Sequence, residues 1–368
     1  FVEKVFQAFY FIINFGSFFA TLMIPWLRAE YGNSVAFGLP GILMLVATFV
    51  FWMGRKDFVH VPAKPGGKLG LYDTAGATLF FLTFGSLFFT ATMSIWVILA
   101  VSGACFAGGL AVHGARQKIE KDDGFVSIAL STIKKGWAKT KSEYGDDSVD
   151  GPVAVMRIIS VFFLVSVFWA LFDQHASSWI RQAQSMDLHV NFGIWEGDLL
   201  PSQIGALNPL MVMGLIPFAS FLLYPTMNKM GFTATPLRRM SIGMFMAALA
   251  YVTVAMIQQR IETEGVGTVS VAWQILPYLI ITLSEVMVSI TGLEFAYTQA
   301  PQKMKSTLMG FWLLTVAMGN VLVAVLTAVL PADMSLSSAF WMYTAMMAGA
   351  AVVFSISASM YKGKTYTQ

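Results

Sequence analysis

Long apolar stretches recur along the chain, separated by short polar segments. A helix that crosses a bilayer needs about 20 mostly apolar residues, and ten stretches meet that requirement. The predicted helices span residues 5–27, 35–54, 73–94, 95–115, 153–175, 203–224, 238–258, 273–297, 307–330 and 337–360. The pattern therefore predicts an all-α polytopic membrane protein with ten crossings.

The composition also favours lipid as the solvent. Charged residues make up 12% of the chain, whereas a soluble domain carries about 25%. The basic residues lie in short loops rather than on one face of a folded domain, which argues against a nucleic-acid partner. A single cysteine, Cys105, cannot form an internal disulfide, and no Cys/His cluster has metal-ligand spacing. Because no catalytic triad or phosphate-binding loop stands out either, the sequence indicates neither an enzyme nor a metal site.

Positive charges predict the orientation of the ten helices, because cytoplasmic loops are enriched in Lys and Arg. If residues 1–4 are cytoplasmic, 19 of the 23 Lys and Arg residues fall on the cytoplasmic side. Three fall outside, namely Arg28, Arg181 and Arg260, and Arg157 lies within a predicted helix. We therefore expect both ends of the chain in the cytoplasm.

Two connections differ from the other short loops. Residues 60–71 are rich in Gly and Pro, which is typical of a linker. Residues 116–150 are polar and of mixed charge but contain scattered apolar side chains. Either an amphipathic helix on the cytoplasmic face or a solvated linker is compatible with this second segment. The helices at 73–94 and 95–115 must form a tight hairpin, because almost nothing separates them.

Four charged residues lie inside predicted helices, where each costs roughly 2.5–3.5 kcal/mol at the bilayer centre. Arg157 is one turn from the cytoplasmic end, so it either snorkels to water or forms a salt bridge that breaks during a conformational change. Asp173 is in the outer third of its helix and is either a protonatable or salt-bridging gate residue or an acid at the membrane interface, and we favour the gate residue. Glu285 and Glu294 share one helix.

The two glutamates are nine residues apart, or about 900° of rotation at about 100° per residue, which predicts opposite helix faces. One carboxylate is then free to face a central cavity while the other bonds to a neighbouring helix. Glu294 precedes polar and aromatic residues and is our candidate for the cavity, whereas Glu285 is expected to have a structural hydrogen-bonding role.

Other side chains could contact a substrate or only pack helices together. Asn14 and Asn208 lie within predicted helices, where an amide either bonds a ligand or joins two helices. Tyr10, Trp169 and Trp312 could line a pocket, although an aromatic in a membrane helix is often a packing residue or an interface anchor.

Several segments carry a resemblance to the proton-dependent oligopeptide transporters. Residues 9–17 (FYFIINFGS) resemble the fifth-helix signature of that family, and residues 168–174 (FWALFDQ) resemble its seventh helix. Residues 292–301 (GLEFAYTQAP) resemble the tenth helix, followed by 304–306 (MKS) and 312–320 (WLLTVAMGN). Their order and spacing also match, so the resemblance covers essentially the whole chain.

The resemblance implies the major facilitator fold, with two six-helix bundles around a central site. The chain would lack the first four helices, which agrees with a start at Phe1 rather than Met. The implied organisation is 1–54, the last two helices of the N-terminal bundle; 55–115, a linker and inserted two-helix hairpin; 116–150, a cytoplasmic linker; and 151–368, the C-terminal bundle. The hairpin and the short loop at 259–272 resemble bacterial members.

The function implied by the resemblance is symport of di- and tripeptides with protons across the bacterial cytoplasmic membrane, by a monomer that alternates access. The proton is the coupling ion, and no cofactor is expected. The implied roles are peptide amino-terminus binding by Glu294, peptide hydrogen bonding by Asn14 and Asn208, a side-chain pocket lined by Tyr10, Trp169 and Trp312, and proton coupling by Asp173, which would pair with a fourth-helix lysine.

Two alternatives remain at this point. The same fold transports nitrate or other small solutes in some plant relatives, although a carboxylate at the site would repel an anion. A non-transporting peptide receptor is the alternative from another class. The family's first-helix motif of two glutamates and an arginine, and its fourth-helix lysine, do not occur in this sequence, so about half of the implied binding site is missing.

Overall fold

The computed structural model describes residues 2–60, 65–89, 93–120, 124–191, 193, 196–299, 304–331 and 333–361. Within these ranges, eight helices are long and apolar enough to cross a membrane. The predicted all-α membrane fold is therefore confirmed. Parts of several predicted features lie outside the described residues, namely 61–64 of the linker at 60–71, 90–92 of the helix at 73–94, 121–123 of the segment at 116–150, and 300–301 of the tenth-helix motif.

The helices follow one another in the order of the apolar stretches. They are α1 (Val2–Met53), α2 (Gly67–Gly85), α3 (Ile95–Ile119), α4 (Phe125–Lys135), α5 (Trp137–Tyr144), α6 (Asp146–Phe172), α7 (Ser178–Ala183), α8 (Leu207–Phe218), α9 (Tyr224–Lys229), α10 (Pro236–Glu264), α11 (Ile275–Glu285), α12 (Thr291–Gln299), α13 (Lys305–Val329) and α14 (Leu336–Met360). Strands β1 (His189–Asn191) and β2 (Glu196–Asp198) form an antiparallel hairpin between α7 and α8.

The first two predicted crossings form one element, α1, which contains 52 residues. A helix of that length would extend about 78 Å, far more than the roughly 30 Å of a bilayer core. Gly32 interrupts the helix with φ 80° and ψ 179°, and a positive φ is readily adopted only by glycine. The element therefore consists of two helical halves that meet at Gly32, in agreement with the predicted stretches 5–27 and 35–54.

The chain divides into two compact units, residues 1–42 with 149–368 and residues 43–148. In the smaller unit, α2 and α3 pack closely, because a Cβ at Gly109 would lie 2.9 Å from the Phe80 ring. Arg116 of α3 is buried and bonds Asp73 of α2 at 3.1 Å. The segment at 116–150 contains the short helices α4 and α5, and α4 buries Ile128.

The larger unit is held together by close helix contacts at small residues, as is common in membrane bundles. A Cβ at Gly243 of α10 would lie 2.7 Å from Val288, and Ser284 donates a hydrogen bond to the Gly243 carbonyl. A Cβ at Gly319 of α13 would lie 2.8 Å from the backbone nitrogen of Ala170 in α6. These contacts fix α10 against the α11 region and α13 against α6.

Two π-helical turns interrupt the regular helices of this unit. One covers Ala219–Leu223 and joins α8 to α9, and the other covers Val286–Ile290 and joins α11 to α12. Such turns add a residue to the helix and often occur at functional sites. The second turn lies directly between Glu285 and Glu294, so it determines how these two carboxylates are oriented.

Candidate functional site

Glu285, the last residue of α11, is buried beside α8 with 6% of its surface exposed. The Asn208 side-chain amide donates hydrogen bonds to the Glu285 carboxylate at 2.8 Å and to the Thr282 hydroxyl at 3.1 Å. Asn208 itself is 8% exposed. Because an isolated buried carboxylate is very costly, this amide is an important stabilising partner for Glu285.

Helix α1 contributes a phenol to the same place. Tyr10 packs against an apolar cluster that includes Val286 and Met287, the two residues that follow Glu285. Asn14, one turn further along α1, is buried and donates from its side-chain amide to the Tyr10 carbonyl at 2.8 Å. The structure therefore brings Tyr10, Asn208 and Glu285 together, and it places Asn14 behind Tyr10 on the same helix.

Glu294 lies elsewhere, in the first turn of α12. One of its carboxylate oxygens is 3.8 Å from the guanidinium of Arg239, a residue in the first turn of α10. Both side chains line a small cleft with a cavity volume of about 10 Å³. The cleft is also lined by Gln7 and Ser220, whose side chains bond each other at 2.8 Å. The Arg239–Glu294 pair thus forms a second polar site in the bundle, separate from the one around Glu285.

The predicted opposite orientation of the two glutamates is wrong. Glu285 contacts Asn208 of α8, and Glu294 lines the cleft with Ser220 and Tyr224 from the continuation of α8. The π-helical turn at Val286–Ile290 explains the difference, because one extra residue changes the phase of a helix by about 100°. The two carboxylates therefore face the same group of neighbouring helices.

Trp169 and Trp312 also come together, at a ring distance of 6.3 Å. Both are buried, and Phe162 packs edge-on against Trp312 at 5.0 Å. Trp312 contacts the backbone of α12 so closely that a Cβ at Gly292 would lie 2.0 Å from its ring. The Trp169 indole nitrogen is buried and has no hydrogen-bond partner among the described residues. The two tryptophans support the helix segment that carries Glu294.

The structure does not bring Asp173 and Arg157 together. Asp173 opens a 3-10 turn after α6, and within the described ranges no basic side chain lies within salt-bridge distance of it. Arg157 is exposed on α6. Sixteen residues of helix separate the two side chains by about 24 Å. In this conformation neither side chain forms a salt bridge with a described residue.

Sequence reasoning missed two participants of this region. Arg239 was counted only as a loop charge, and nothing in its local sequence indicates that it turns back toward Glu294. A structural role was expected for Glu285, although the sequence also contains a sign that it belongs to a polar site. Thr282, Glu285 and Ser289 follow one another at spacings of three and four residues, which places three polar side chains on one face of an apolar helix.

Comparison with known proteins identifies the family. The model of the POT family matches residues 2–342. The chain is 28% identical over 263 residues to "Peptide transporter family 2" of Caenorhabditis elegans, which is 70% of this chain and 30% of that protein. It therefore spans about a third of the length of such curated relatives.

Solved structures agree with this match. The crystal structure of an auto-inhibited POT family peptide transporter has a TM-score of 0.73 and 34% identity, covering 100% of this chain and 72% of the other. The in meso structure of the POT family transporter PepTSo has a TM-score of 0.70 and 36% identity, covering 98% and 71%. The resemblance to the proton-dependent oligopeptide transporters is thus confirmed, and the chain belongs to the POT family.

Proposed function

We propose that this chain is part of a proton-coupled symporter of di- and tripeptides that works by alternating access. The observation that carries the proposal is the buried Glu285 carboxylate, which accepts a hydrogen bond from Asn208 and lies beside the cluster against which Tyr10 packs. The relatives named above, which are peptide or POT family transporters, support a peptide substrate. A buried carboxylate argues against nitrate, because it repels an anion.

Peptide recognition would begin at the ammonium group, which is common to nearly all short peptides. A charge-assisted hydrogen bond from this ammonium to Glu285 is about twice as strong as a neutral one. Asn208 holds the carboxylate in place and can donate to a peptide carbonyl when it releases Thr282. Because recognition depends on the terminus and backbone, side chains of different size are tolerated.

The sequence favours Glu294 for the ammonium group, and that assignment stays a prediction. We favour Glu285 because two other predicted substrate ligands, Asn208 and Tyr10, lie beside it rather than beside Glu294. Asn14 would assist by orienting Tyr10. Trp169 and Trp312 would shape the side-chain pocket, where the Trp169 indole can donate to a peptide oxygen.

Proton coupling is proposed to use Asp173 and Arg157. Protonation of Asp173 would break a salt bridge to a lysine outside the described residues and shift the balance between outward-open and inward-open states. Such a shift requires that the proton bind the two states with different affinity. Arg157 would form a cytoplasmic salt bridge that opens during the same transition.

The proposal includes an organisation and a location. Residues 1–54 would be the last helices of the N-terminal bundle, 55–115 the inserted hairpin, 116–150 the cytoplasmic linker and 151–368 the C-terminal bundle. The protein would act as a monomer in a bacterial cytoplasmic membrane, with both ends of the chain in the cytoplasm and no cofactor besides the transported proton.

The test uses the complete protein encoded by the reading frame that contains this chain, reconstituted in liposomes. Uptake of labelled dialanine is measured with and without an inward proton gradient. Saturable uptake that depends on the gradient is the expected result. Binding of dialanine without uptake would replace the symporter by a peptide receptor. Absence of both binding and uptake by folded protein would contradict a peptide substrate altogether.

A further inference from the structure

The cleft around Glu294 contains a basic residue that does not depend on Glu294 for its position. The Arg239 Nε donates a hydrogen bond to the Ala234 carbonyl at 2.8 Å. Its guanidinium also lies 4.0 Å above the ring of Tyr224, a distance typical of a cation–π contact. Arg239 therefore stays anchored when another cation occupies the Glu294 carboxylate.

The contact between Arg239 and Glu294 is long for an arginine–carboxylate pair. The nearest N–O distance is 3.8 Å, whereas a charge-assisted hydrogen bond of this type measures about 2.7–2.9 Å. Both side chains retain some exposure, 16% for Arg239 and 21% for Glu294. A pair without that hydrogen bond is weaker than a short one, so another cation can compete with Arg239 for the carboxylate.

The cleft also has a suitable size and position for a small cationic group. Its cavity volume of about 10 Å³ is about that needed to hold one water molecule, so it accommodates the ammonium group alone rather than a whole peptide. Gln7, Ser220 and Thr291 add polar atoms to its lining. Glu294 is about 13 Å further along the helix than Glu285, toward the end that our orientation places in the cytoplasm.

We propose that Glu294 is an exit subsite for the peptide ammonium group and that Arg239 keeps this subsite weak by competing for the carboxylate. The inference rests on the proposed peptide transport. The ammonium would leave Glu285, reach Glu294 transiently, and be replaced there by the guanidinium as the peptide enters the cytoplasm. The resident arginine prevents the peptide from being trapped at the second carboxylate.

The experiment compares peptide affinity on the cytoplasmic side for the wild type and Arg239→Gln. The complete protein is placed in inside-out vesicles, and inhibition of labelled dialanine transport is measured with dialanine and with N-acetyl-dialanine. Arg239→Gln should raise the cytoplasmic affinity for dialanine about tenfold, the effect of one charge-assisted hydrogen bond. Affinity for the acetylated peptide, which has no ammonium group, should not change.

The matched control is Arg238→Gln. Arg238 is the neighbouring arginine, but it is exposed and bonds the Thr233 carbonyl and hydroxyl instead of a carboxylate. Arg238→Gln should leave the affinities for dialanine and for N-acetyl-dialanine at their wild-type values. In the double variant Arg239→Gln/Glu294→Gln the gain for dialanine should disappear, because the gain depends on the Glu294 charge.

A second measurement covers the case in which Arg239→Gln does not fold. Glu294→Gln leaves both anchors of Arg239 intact, and it should slow dialanine efflux about tenfold while external binding stays unchanged. Equal changes for dialanine and its acetylated form would overturn the inference, as would a gain that persists without Glu294. If the wild type neither binds nor transports dialanine, the proposed function itself fails, which is a distinguishable result.

Discussion

Glu285 and Glu294 lie on one membrane span and face the same neighbouring helices, yet their surroundings differ. Glu285 is 6% exposed and accepts a short hydrogen bond from a neutral amide. Glu294 is 21% exposed and faces a guanidinium at 3.8 Å. A carboxylate without a resident cation leaves its site open to an incoming cation, whereas a carboxylate beside a resident cation binds an incoming one weakly. Identical side chains can therefore serve as a binding residue and as a release residue.

The largest expected effect is that of Glu285→Gln. The glutamine still accepts a hydrogen bond from Asn208, so the fold is retained, but the charge that binds the ammonium is lost. Removing one partner of a buried charge pair costs about 2–5 kcal/mol, so the apparent affinity for dialanine should fall at least 30-fold. Proteoliposome uptake over a range of dialanine concentrations measures this change.

Glu262→Gln is the control for that variant. Glu262 accepts a hydrogen bond from the Ser337 hydroxyl at 2.7 Å. It lies in the last turn of α10, away from Glu285 and Glu294. Its uptake kinetics should match the wild type. If Glu285→Gln lowers the melting temperature but not the affinity, Glu285 has only the structural role expected from sequence.

The next effect in size is that of Asn208→Ala. This change removes the donor at 2.8 Å from the Glu285 carboxylate, and loss of a hydrogen bond to a charged group costs about 1.5–3 kcal/mol. We expect a roughly tenfold or larger loss of dialanine affinity together with a lower melting temperature. An effect on Glu294-dependent efflux without an effect on binding would contradict the separation of the two carboxylates.

A smaller effect is expected at Gly292, which lies between the two carboxylates. A Cβ there would lie 2.0 Å from the Trp312 ring, so Gly292→Ala must displace the indole. Overpacking of this kind costs about 1–3 kcal/mol. The matched control is Gly310→Ala in α13, where a Cβ meets nothing within 4 Å. Thermal unfolding should separate the two variants, with only Gly292→Ala destabilised.

The smallest expected effect is that of His189→Ala in the β1–β2 hairpin, where two solvent-exposed carboxylates contact the imidazole. Hydrogen bonds from the exposed His189 ring to Asp198 and Glu196, at 2.9 and 3.2 Å, raise the pKa of His189 above its ordinary value of 6.5. The resulting stabilisation is complete below pH 6.5 and is lost as the pH rises through the raised pKa. Hydrogen exchange of the hairpin should therefore become faster with His189→Ala at acidic pH only.

Added salt should distinguish the exposed β1–β2 hairpin from the buried site around Glu285. Exposed ion pairs are screened by added salt, whereas buried ones are screened much less. The difference between wild type and His189→Ala should shrink in high salt, while the affinity loss of Glu285→Gln should persist. A salt-insensitive hairpin would show that the three side chains interact through something other than their charges.

Much of the fold is predictable because the length of an apolar stretch determines whether a helix can cross the bilayer. The stretches at 5–27 and 35–54 correspond to the two halves of α1, and the stretch at 337–360 corresponds to α14. The stretch at 73–94 was less well placed, since α2 begins at Gly67 and ends at Gly85. Hydropathy measures how apolar a segment is, whereas the end of a helix depends on local hydrogen bonds.

The site was predictable only in part. Asn208 and Tyr10 were identified from sequence, and the structure places both beside Glu285. The helical-wheel argument that placed the two glutamates on opposite faces assumed a regular helix between them. It failed because a π-helical turn, which no local residue pattern announced, lies between them. Arg239 was missed because its contact with Glu294 joins residues that are 55 positions apart.

Binding of dialanine and N-acetyl-dialanine to the purified complete protein tests the central claim most directly. Calorimetry is performed on the wild type, Glu285→Gln and Glu294→Gln. The account predicts that the wild type and Glu294→Gln prefer dialanine strongly, whereas Glu285→Gln binds both peptides weakly and alike. Full discrimination by Glu285→Gln, together with its loss in Glu294→Gln, would contradict the account and assign the amino terminus to Glu294.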